Sequence, residues 1–425
     1  MAKPKLALIP AAQGTSLYSV LPSSGVGDFD FTRSGSATRI NAQGLIETVA
    51  SGVSRLNYPM IDGVVKGCPH HILEPQRTQL VQYSEDFSQG YWTRNGSSVT
   101  SGFLSPDGTL NASKLSEDNT NAIHRIYQTA TVSASPNATI SIYVKYNQRK
   151  FVLIRVADSS VGRWYDIENG VLGSTYTGTP NDSSIESVGN GWYRISISHT
   201  VSNQARLELW VSDTESTSAY QGDTNKGVYI FGAQLEQGSY PTSYIPNYGT
   251  AAGVTRSAET AIGSGDASTF NDSEGVLMIE ANALEENAQT KRITLSDGTS
   301  SNRLSIYLTD AIGVVGVSSG GLVLNNGFGN YDTTIFNKIA LKYKQNDFAL
   351  YINGYEILTS INGNSPIGLN QLRFNDGYSG SGAAFYGNTK QIQYFDTALT
   401  DNELETLTSW VSFTDMAEGQ LYTIE

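Results

Sequence analysis

TISIYVKY, residues 139–146, alternates apolar and polar side chains along its length. Successive side chains of an extended strand point to opposite faces, so Ile140, Ile142 and Val144 share one apolar face. The same period of two recurs in five further runs: KFVLIRVAD (150–158), RWYDI (163–167), GWYRISISHTV (191–201), ARLELWVSD (205–213) and GVYIFGAQLE (227–236). Short strands separated by turn residues predict a β-sandwich of the jelly-roll type over residues 75–248.

The composition extends this interpretation to the whole chain. A length of 425 residues is more than one compact hydrophobic core usually accommodates, which indicates two or three domains. The chain is rich in glycine (42 residues) and tyrosine (24 residues), and few runs favour helices. Turn-forming glycine together with strand-forming aromatic residues favours an all-β protein.

A second set of strands follows over residues 257–411, beginning with GVLMIEAN (275–282). KIALKYKQNDFALYING (338–354) has the pattern of a hairpin, and its Asn353–Gly354 pair suits a second tight turn. Thr400 and Glu403 form a capping-box pair in TALTDNELETLTSW, which predicts one short helix near the C-terminus. The expected fold is therefore a second β-sandwich closed by a short helix.

Three further segments complete the predicted organisation. Residues 1–74 contain little apolar material, so we expect a docking or oligomerisation segment rather than an independent core. Residues 249–256 are expected to form a structured linker, and residues 412–425 a C-terminal tail. Tyr240–Pro241 and Ile245–Pro246 hold the approach to the linker extended, which predicts an ordered joint without chemistry of its own.

Charge and cysteine content exclude several classes of protein. The net charge of −13 disfavours nucleic-acid binding, which needs clustered lysine and arginine. Cys68 is the single cysteine, so no intrachain disulfide can form. The apolar run near the N-terminus is too short for a signal peptide, and no run approaches the ~20 apolar residues of a membrane span. We expect synthesis in the cytoplasm and, if the protein leaves the cell, release by lysis or by assembly into a particle.

Strand alternation places four large aromatic residues on the polar side of their strands. Flat aromatic faces beside charged and hydroxyl groups suit sugars, whose C–H faces stack while their hydroxyls form hydrogen bonds. A subunit interface or ordinary packing explains the same pattern, because tyrosine and tryptophan are also enriched at interfaces. The predicted glycan-binding set is Tyr143, Trp164, Asp166, Trp192, Arg194 and Trp210.

An enzymatic function requires two suitably spaced carboxylates if the reaction is glycoside hydrolysis. The best candidates are Glu280, Glu285 and Glu286, in MIEANALEEN. Glu280 and Glu285 are five residues apart, so a regular strand directs them to opposite faces. This spacing favours solvated surface carboxylates and a chain without catalytic residues.

Metal binding has little support in the sequence. Cys68, His70 and His71 lie together, but their spacing is not that of a zinc site, and no cofactor is predicted. The acidic turns NDSEG (271–275) and SDG (296–298) are candidates for calcium. Ordinary turn chemistry accounts for them equally well.

Four phrases in order resemble a recurring pattern in structural proteins of tailed phages. They are FTRSGSATRINAQGLIE (31–47), ILEPQRTQLVQYSEDFSQGYW (72–92), GNGWYRISIS (189–198) and GAQLEQGSYPTSYIPNYGTAAGVTR (232–256). The resemblance covers about residues 28–258 and implies a head-fibre, tail or minor structural component with a carbohydrate-binding-like jelly roll. Residues 257–411 resemble the concanavalin A-like, laminin G-like fold, which serves many unrelated functions.

The resemblance implies a non-enzymatic protein at the surface of the virion, as a head fibre, capsid decoration or tail fibre component. Residues 1–74 are then expected to contact other virion proteins, and the resemblance favours a homotrimer. Cell-surface glycans are the expected external ligands. Two alternatives stay open: a tail-associated polysaccharide-degrading glycoside hydrolase, and a bacterial surface adhesin.

Overall fold

The computed structural model describes residues 3–8, 12–13, 16–17, 20–132, 137–156, 161–215, 219–378 and 382–410. These residues form strands throughout, with a single helix in the described part, which confirms the all-β fold class. The predicted C-terminal tail, 412–425, lies outside the described residues. The strands build two β-sandwiches, here named the inserted sandwich and the terminal sandwich.

The inserted sandwich consists of two six-stranded antiparallel sheets. In spatial order, sheet A contains β12 (Thr93–Asn95), β16 (Arg125–Thr131), β23 (Gln204–Ser212), β18 (Phe151–Val156), β19 (Val161–Asp166) and β20 (Val171–Thr175). Sheet B contains β13 (Ser97–Phe103), β14 (Ala112–Glu117), β25 (Gly227–Gln237), β17 (Asn137–Asn147), β22 (Trp192–Thr200) and β21 (Asp182–Ser187). The short pair β15 (Asn121–Ala122) and β24 (Tyr220–Gln221) extends one end.

The predicted alternation holds in the core between sheets A and B. Ile140, Ile142 and Val144 of β17 are completely buried there. Leu207 and Leu209 of β23 meet them from the opposite sheet. Each such aliphatic side chain contributes about 1.5–3 kcal/mol when it is fully removed from water, so the period-two pattern determines which face of each strand points inward.

The terminal sandwich combines an eight-stranded and a five-stranded sheet. Sheet C contains β35 (Tyr355–Ser360), β34 (Phe348–Ile352), β33 (Asn337–Lys344), β28 (Glu274–Ala283), β37 (Gly387–Phe395), β10 (His70–Leu73) and β7 (Leu56–Asn57), with β1 (Leu6–Leu8) also paired to β37. Sheet D contains β32 (Gly321–Phe328), β31 (Ile312–Ser318), β30 (Arg303–Leu308), β29 (Lys291–Ser296) and β36 (Gln371–Arg373).

Five short antiparallel pairs lie outside the large sheets. They are β2 (Ala12–Gln13) with β3 (Ser16–Leu17), β4 (Asp30–Thr32) with β27 (Thr260–Ile262), β5 (Ala37–Ile40) with β6 (Ile46–Val49), β8 (Met60–Ile61) with β9 (Val64–Val65), and β11 (Arg77–Gln79) with β26 (Val254–Arg256). The pair β11–β26 lies where the chain leaves the terminal sandwich and returns to it. The inserted sandwich therefore interrupts the terminal one.

Residues 1–74 do not form a separate segment, which corrects the predicted organisation. Strands β1, β7 and β10 belong to sheet C, and β4 pairs with β27. Leu6, Phe29 and Leu73 are buried in the core of the terminal sandwich. This segment contains little apolar material of its own, and its apolar residues pack with those of the C-terminal part of the same chain in one core. Its docking to other virion proteins stays a prediction.

The local signals in the second half are confirmed. Strands β33 and β34 form the predicted hairpin, and Asn353 and Gly354 turn the chain into β35 with φ of 52° and 89°. Helix α1 (Asp401–Ser409) begins at the N-cap Thr400, and both hydrogen bonds of its capping box are present. Its buried Leu404 and Leu407 pack with strands β28, β33 and β34 on the outer face of sheet C.

A buried ionic cluster joins the two sandwiches. This junction cluster consists of Arg33, Arg55, Glu74, Arg256 and Glu259, each at most 3% exposed. Arg33 Nη1 and Arg55 Nε both donate to Glu259 Oε1 at 2.8 Å. Arg55 Nη2 and Arg256 Nη1 lie 2.8 Å and 2.7 Å from Glu74 Oε2.

Backbone and hydroxyl donors complete the coordination of both carboxylates. The Ser243 amide donates to Glu74 Oε1 at 2.7 Å, and the Glu74 amide donates to Glu259 Oε2 at 2.9 Å. Burial by itself raises the pKa of Glu74, but Arg256, Arg55 and the hydrogen bonds from Ser243 together hold that pKa below its ordinary value. The Glu74 carboxylate therefore lies in a site that favours its charged form.

We expect Glu259→Gln to lower the free energy of unfolding by about 3–5 kcal/mol, because it leaves buried guanidinium groups without their carboxylate. Urea denaturation followed by circular dichroism measures this loss. Glu286→Gln is the matched control, since Glu286 is exposed and its replacement should change the stability by about 0.5 kcal/mol or less. Equal midpoints for the two variants would contradict the structural importance of the cluster.

His71 lies in the core of the terminal sandwich without a polar partner. Its ring is completely buried against Phe31 and Phe374, and neither ring nitrogen has a hydrogen bond. Burial, with nearby Arg55 and His70, lowers the pKa of His71 to about 3. The imidazole is therefore neutral in the folded chain at neutral pH.

This lowered pKa predicts acid sensitivity. Below the unfolded pKa of about 6.5 the unfolded chain gains a proton that folded His71 does not bind, so stability is lost as pH falls. The loss amounts to about 1.4 kcal/mol per pH unit, or about 2 kcal/mol at pH 5. His71→Phe removes this contribution. Between pH 7.5 and pH 5 the free energy of unfolding of this variant should therefore fall by about 2 kcal/mol less than that of the wild type, as measured by urea denaturation. Parallel pH profiles for the two chains would show that His71 does not carry the effect.

Candidate functional site

The predicted aromatic residues are buried and lie on two opposite faces, so they do not form one open aromatic surface. Tyr143 and Trp192 lie on the outer face of sheet B, whereas Trp164 and Trp210 lie on the outer face of sheet A. Each of the four side chains is at most 4% exposed. Strand alternation correctly placed them away from the central core, but it does not show what covers them.

On sheet A, charged side chains cover Trp210. The guanidinium carbons of Arg125 and Arg155 lie 5.7 Å and 5.3 Å from the ring centre of Trp210, whose Nε1 donates to Glu208 Oε1 at 2.6 Å. Asp166 accepts hydrogen bonds from Asn169 and lies 3.0 Å from Lys150 Nζ. Asp166 is therefore engaged in its own turn, and is only 6% exposed.

On sheet B, the N-terminal part of the chain covers the aromatic residues. Tyr143 and Trp192 pack with Phe231 and Tyr244, and Ile46 of the β5–β6 hairpin closes this cluster. The hairpin is held in place where Thr38 Oγ1 donates to the Tyr244 carbonyl at 2.6 Å. These contacts bury the rings and leave a cleft beside them.

The cleft, here named the junction cleft, has a volume of about 720 Å³ and lies where the two sandwiches meet. Sites for small ligands are commonly of this size and often lie between domains. Its walls come from the β5–β9 region, from the outer face of sheet B and from residues 241–244. Its polar and aromatic lining includes Asn57, Tyr58, Tyr143, Asn169, Glu186, Tyr193 and Arg194.

Arg194 is the best-positioned cation in the junction cleft. Its Nη2 donates to Ser141 Oγ at 3.0 Å and to the Thr242 carbonyl at 2.7 Å, and its guanidinium lies 5.5 Å from the ring centre of Tyr143. Arg194 and Glu186 are directly opposite each other on β22 and β21. The structure therefore brings Tyr143 and Arg194 of the predicted set together.

Several polar groups of the cleft are free to bind a ligand. Among the described residues, neither the Tyr143 hydroxyl nor the exposed Glu186 carboxylate has a hydrogen-bond partner. His70 contributes a neutral ring, because burial and Lys390 lower its pKa to about 4. The cleft thus offers donors, acceptors and aromatic surface without a concentration of one charge.

Sequence reasoning missed several residues of the cleft. Asn57 and Tyr58 lie in a segment without a recognisable pattern, and Tyr193 lines the cleft although it also packs against the core between sheets A and B. The segment 232–256 was expected to have no chemistry, yet Thr242 and Tyr244 line the cleft and Arg256 belongs to the junction cluster. In the same segment Tyr244 is buried, whereas Tyr248 is 73% exposed.

The candidate catalytic carboxylates have separate partners. Glu280 is 8% exposed, accepts from Gln391 Nε2 at 2.8 Å, and lies 3.4 Å from Lys390 Nζ. Glu285 follows the end of β28 and accepts a hydrogen bond from Ser239, and Glu286 is exposed. The expectation of solvated carboxylates is therefore wrong for Glu280, which is buried by its position beside β37.

The possible metal ligands are also separated. Strand β10 directs His71 into the core and His70 towards Phe336 and Asn57, while Cys68 is exposed. Asp272 accepts from the amides of Gly368 and Leu369, so it closes a loop. Asp297 accepts from Thr299 in a turn. Within the described ranges, no three His, Cys, Asp or Glu residues are grouped as metal ligands.

No helix in the described part of the chain is long and apolar enough to span a membrane. The only described helix, α1, has nine residues.

No family model and no curated protein matches the sequence. Solved structures with weak similarity include the CBM40 of the Ruminococcus gnavus IT-sialidase bound to α2,3-sialyllactose, at 20% identity and a TM-score of 0.30, over 34% of this chain and 92% of that one. The leech intramolecular trans-sialidase has 20% identity and a TM-score of 0.29, over 34% of this chain and 24% of its own.

The Trypanosoma rangeli sialidase in complex with sialic acid has 10% identity and a TM-score of 0.29, over 74% of this chain and 61% of its own. All three TM-scores lie well below 0.5, so these similarities carry no argument about the function of this chain.

Proposed function

We propose that this chain is a non-enzymatic structural protein of a tailed-phage virion that binds glycans in the junction cleft. The cleft carries the glycan-binding part of the proposal. The four phage-like phrases, spread over residues 28–258, support the virion part. The chain is a surface component of the particle and assembles as a homo-oligomer, for which the resemblance favours a trimer.

The lining of the junction cleft suits an oligosaccharide. Tyr58 and Tyr193 offer aromatic surface for the C–H faces of sugar rings. Arg194, Asn57 and Asn169 offer donors for hydroxyl oxygens, and Glu186 offers an acceptor. A few well-placed polar groups on a partly aromatic wall are typical of ligand sites that select by hydrogen bonding.

Several copies on one particle make weak binding effective. A single polar cleft of this kind binds sugars weakly, because each hydrogen bond to sugar replaces one to water. Linked copies convert later binding events into intramolecular ones and raise the overall avidity by about 10²–10⁴. A homo-oligomeric fibre or decoration therefore fits a cleft of modest affinity.

A glycan array on the purified chain tests the binding proposal. For the best glycan found, Tyr143→Phe and Glu186→Gln should each weaken binding about fivefold. The first removes a hydroxyl that has no partner in the structure, and the second replaces an unpartnered charged acceptor by a neutral amide. Both variants should keep the thermal stability of the wild type. Isothermal titration calorimetry measures the affinities.

Tyr355→Phe is the matched control, because Tyr355 is 72% exposed on the terminal sandwich and lies outside the cleft. The control should bind the glycan as the wild type does. Failure of the array to find any glycan, or wild-type affinity in both cleft variants, would overturn the proposed binding site.

Cryo-electron microscopy of intact particles from the encoding phage tests the virion part separately. We expect the chain on the outer surface of the particle, in oligomers with threefold symmetry, because the resemblance is to projecting structural components. A chain located inside the particle, or absent from it, would contradict this part of the proposal. Such a result would not change the interpretation of the glycan-binding measurements.

A further inference from the structure

The outer face of sheet A has a concentration of arginine that the proposed function does not use. Arg125 of β16, Arg155 of β18 and Arg206 of β23 lie on three adjacent strands, on the side away from the core. The register places Arg155 directly opposite Glu208, and Arg206 opposite Thr129. We name this surface the arginine face.

The positive charge of the arginine face is only partly compensated. Among the described residues, Glu208 is the one carboxylate in contact with the three guanidinium groups, at 2.6 Å from Arg125, 3.2 Å from Arg155 and 3.8 Å from Arg206. Glu208 is completely buried and also accepts from the Trp210 ring nitrogen. Three cations around one anion leave two positive charges on a chain whose net charge is −13.

Aromatic rings hold the guanidinium groups in place. Arg206 lies 5.1 Å from the ring centre of Tyr127, and Arg155 lies 5.2 Å from that of Tyr176. Stacking of this kind fixes the plane of a guanidinium before a ligand arrives, so less conformational entropy is lost on binding. The side chains of Arg206 and Arg125 remain 38% and 25% exposed.

The arrangement does not serve stability alone. Like charges on neighbouring strands repel, and the Nε atoms of Arg125 and Arg155 are buried without a hydrogen-bond partner. A fold that needed only packing would be served better by neutral side chains over Trp210. The arginine face therefore lacks a countercharge that an external anion can supply.

We propose that the arginine face binds an anionic polysaccharide through the carboxylate groups of its acidic sugars. Arginine pairs with carboxylates through two parallel hydrogen bonds, and Tyr127 and Tyr176 provide rings against which sugars pack. The site lies on sheet A, apart from the junction cleft on the side of sheet B, and does not depend on it.

Charge complementarity favours a polysaccharide over a nucleic acid. A nucleic acid carries one charge per ~1.7 Å of duplex, and the net charge of −13 repels such a density beyond the small arginine face. An acidic polysaccharide carries its charges further apart, separated by neutral sugar surface. Two uncompensated cations are enough to neutralise its local charge.

Affinity electrophoresis of the full chain in gels containing polygalacturonate tests the proposal, with dextran as the neutral polysaccharide. We expect retardation by polygalacturonate alone, weakened by added salt. Arg206→Gln should weaken the binding about fivefold. Arg303→Gln is the matched control, because Arg303 also stacks on a tyrosine, 4.9 Å from the Tyr378 ring centre, but lies on the terminal sandwich.

Thr129→Glu is a second variant, which should remove binding without lowering the stability of the fold. Arg206 Nε donates to Thr129 Oγ1 at 3.2 Å, so a carboxylate at position 129 places an internal anion beside that guanidinium. We expect this variant to lose most polygalacturonate binding while its thermal midpoint stays equal to that of the wild type or rises. A folded chain that does not bind separates loss of the site from loss of the structure.

Three outcomes would overturn the proposal. They are wild-type binding by both Arg206→Gln and Thr129→Glu, no retardation of the wild type by polygalacturonate, and stronger retardation by single-stranded DNA than by polygalacturonate. Tyr143→Phe should leave polygalacturonate binding unchanged. Its result therefore distinguishes failure of the arginine face from failure of the junction cleft.

Discussion

The buried ion pairs of the junction cluster are the constraint on which the rest of the structure depends. Glu259 accepts from Arg33 and Arg55, and Glu74 contacts Arg55 and Arg256, so segments distant in sequence meet at one point. Desolvation makes each charge unfavourable when it is alone, and only the complete set compensates this cost. The cluster therefore couples the N-terminal strands, the start of the terminal sandwich and the return from the inserted one.

This coupling explains why the junction cleft lies where the two sandwiches meet. Ser243 donates to Glu74, which holds residues 241–244 against the outer face of sheet B. The β5–β6 hairpin is bound to the same segment through Thr38 and Tyr244. The cleft is thus lined by parts of the chain whose relative positions are held by buried hydrogen bonds, which is the rigidity that a binding site requires.

The two outer faces of the inserted sandwich differ in what covers them. On sheet B, the N-terminal hairpin covers the aromatic residues and leaves a neutral, hydrogen-bonding cleft beside Arg194. On sheet A, arginine side chains cover Trp210 and leave a positive surface. A sandwich core needs only the inward half of each strand, so the outward half can differ between the sheets without affecting the fold.

The sequence by itself determined the local structure: alternation identified the inward residues of β17, β22 and β23, and the capping box located helix α1, because these signals depend on neighbouring residues alone. It also identified Tyr143 and Arg194, which the cleft unites. Only the tertiary structure decided that residues 1–74 complete sheet C, that Trp164 and Trp210 are covered, and that Arg256 is buried with Glu74. Those outcomes depend on contacts between distant segments. An alternation with a period of two residues identifies the face that a side chain occupies, but not what lies against that face.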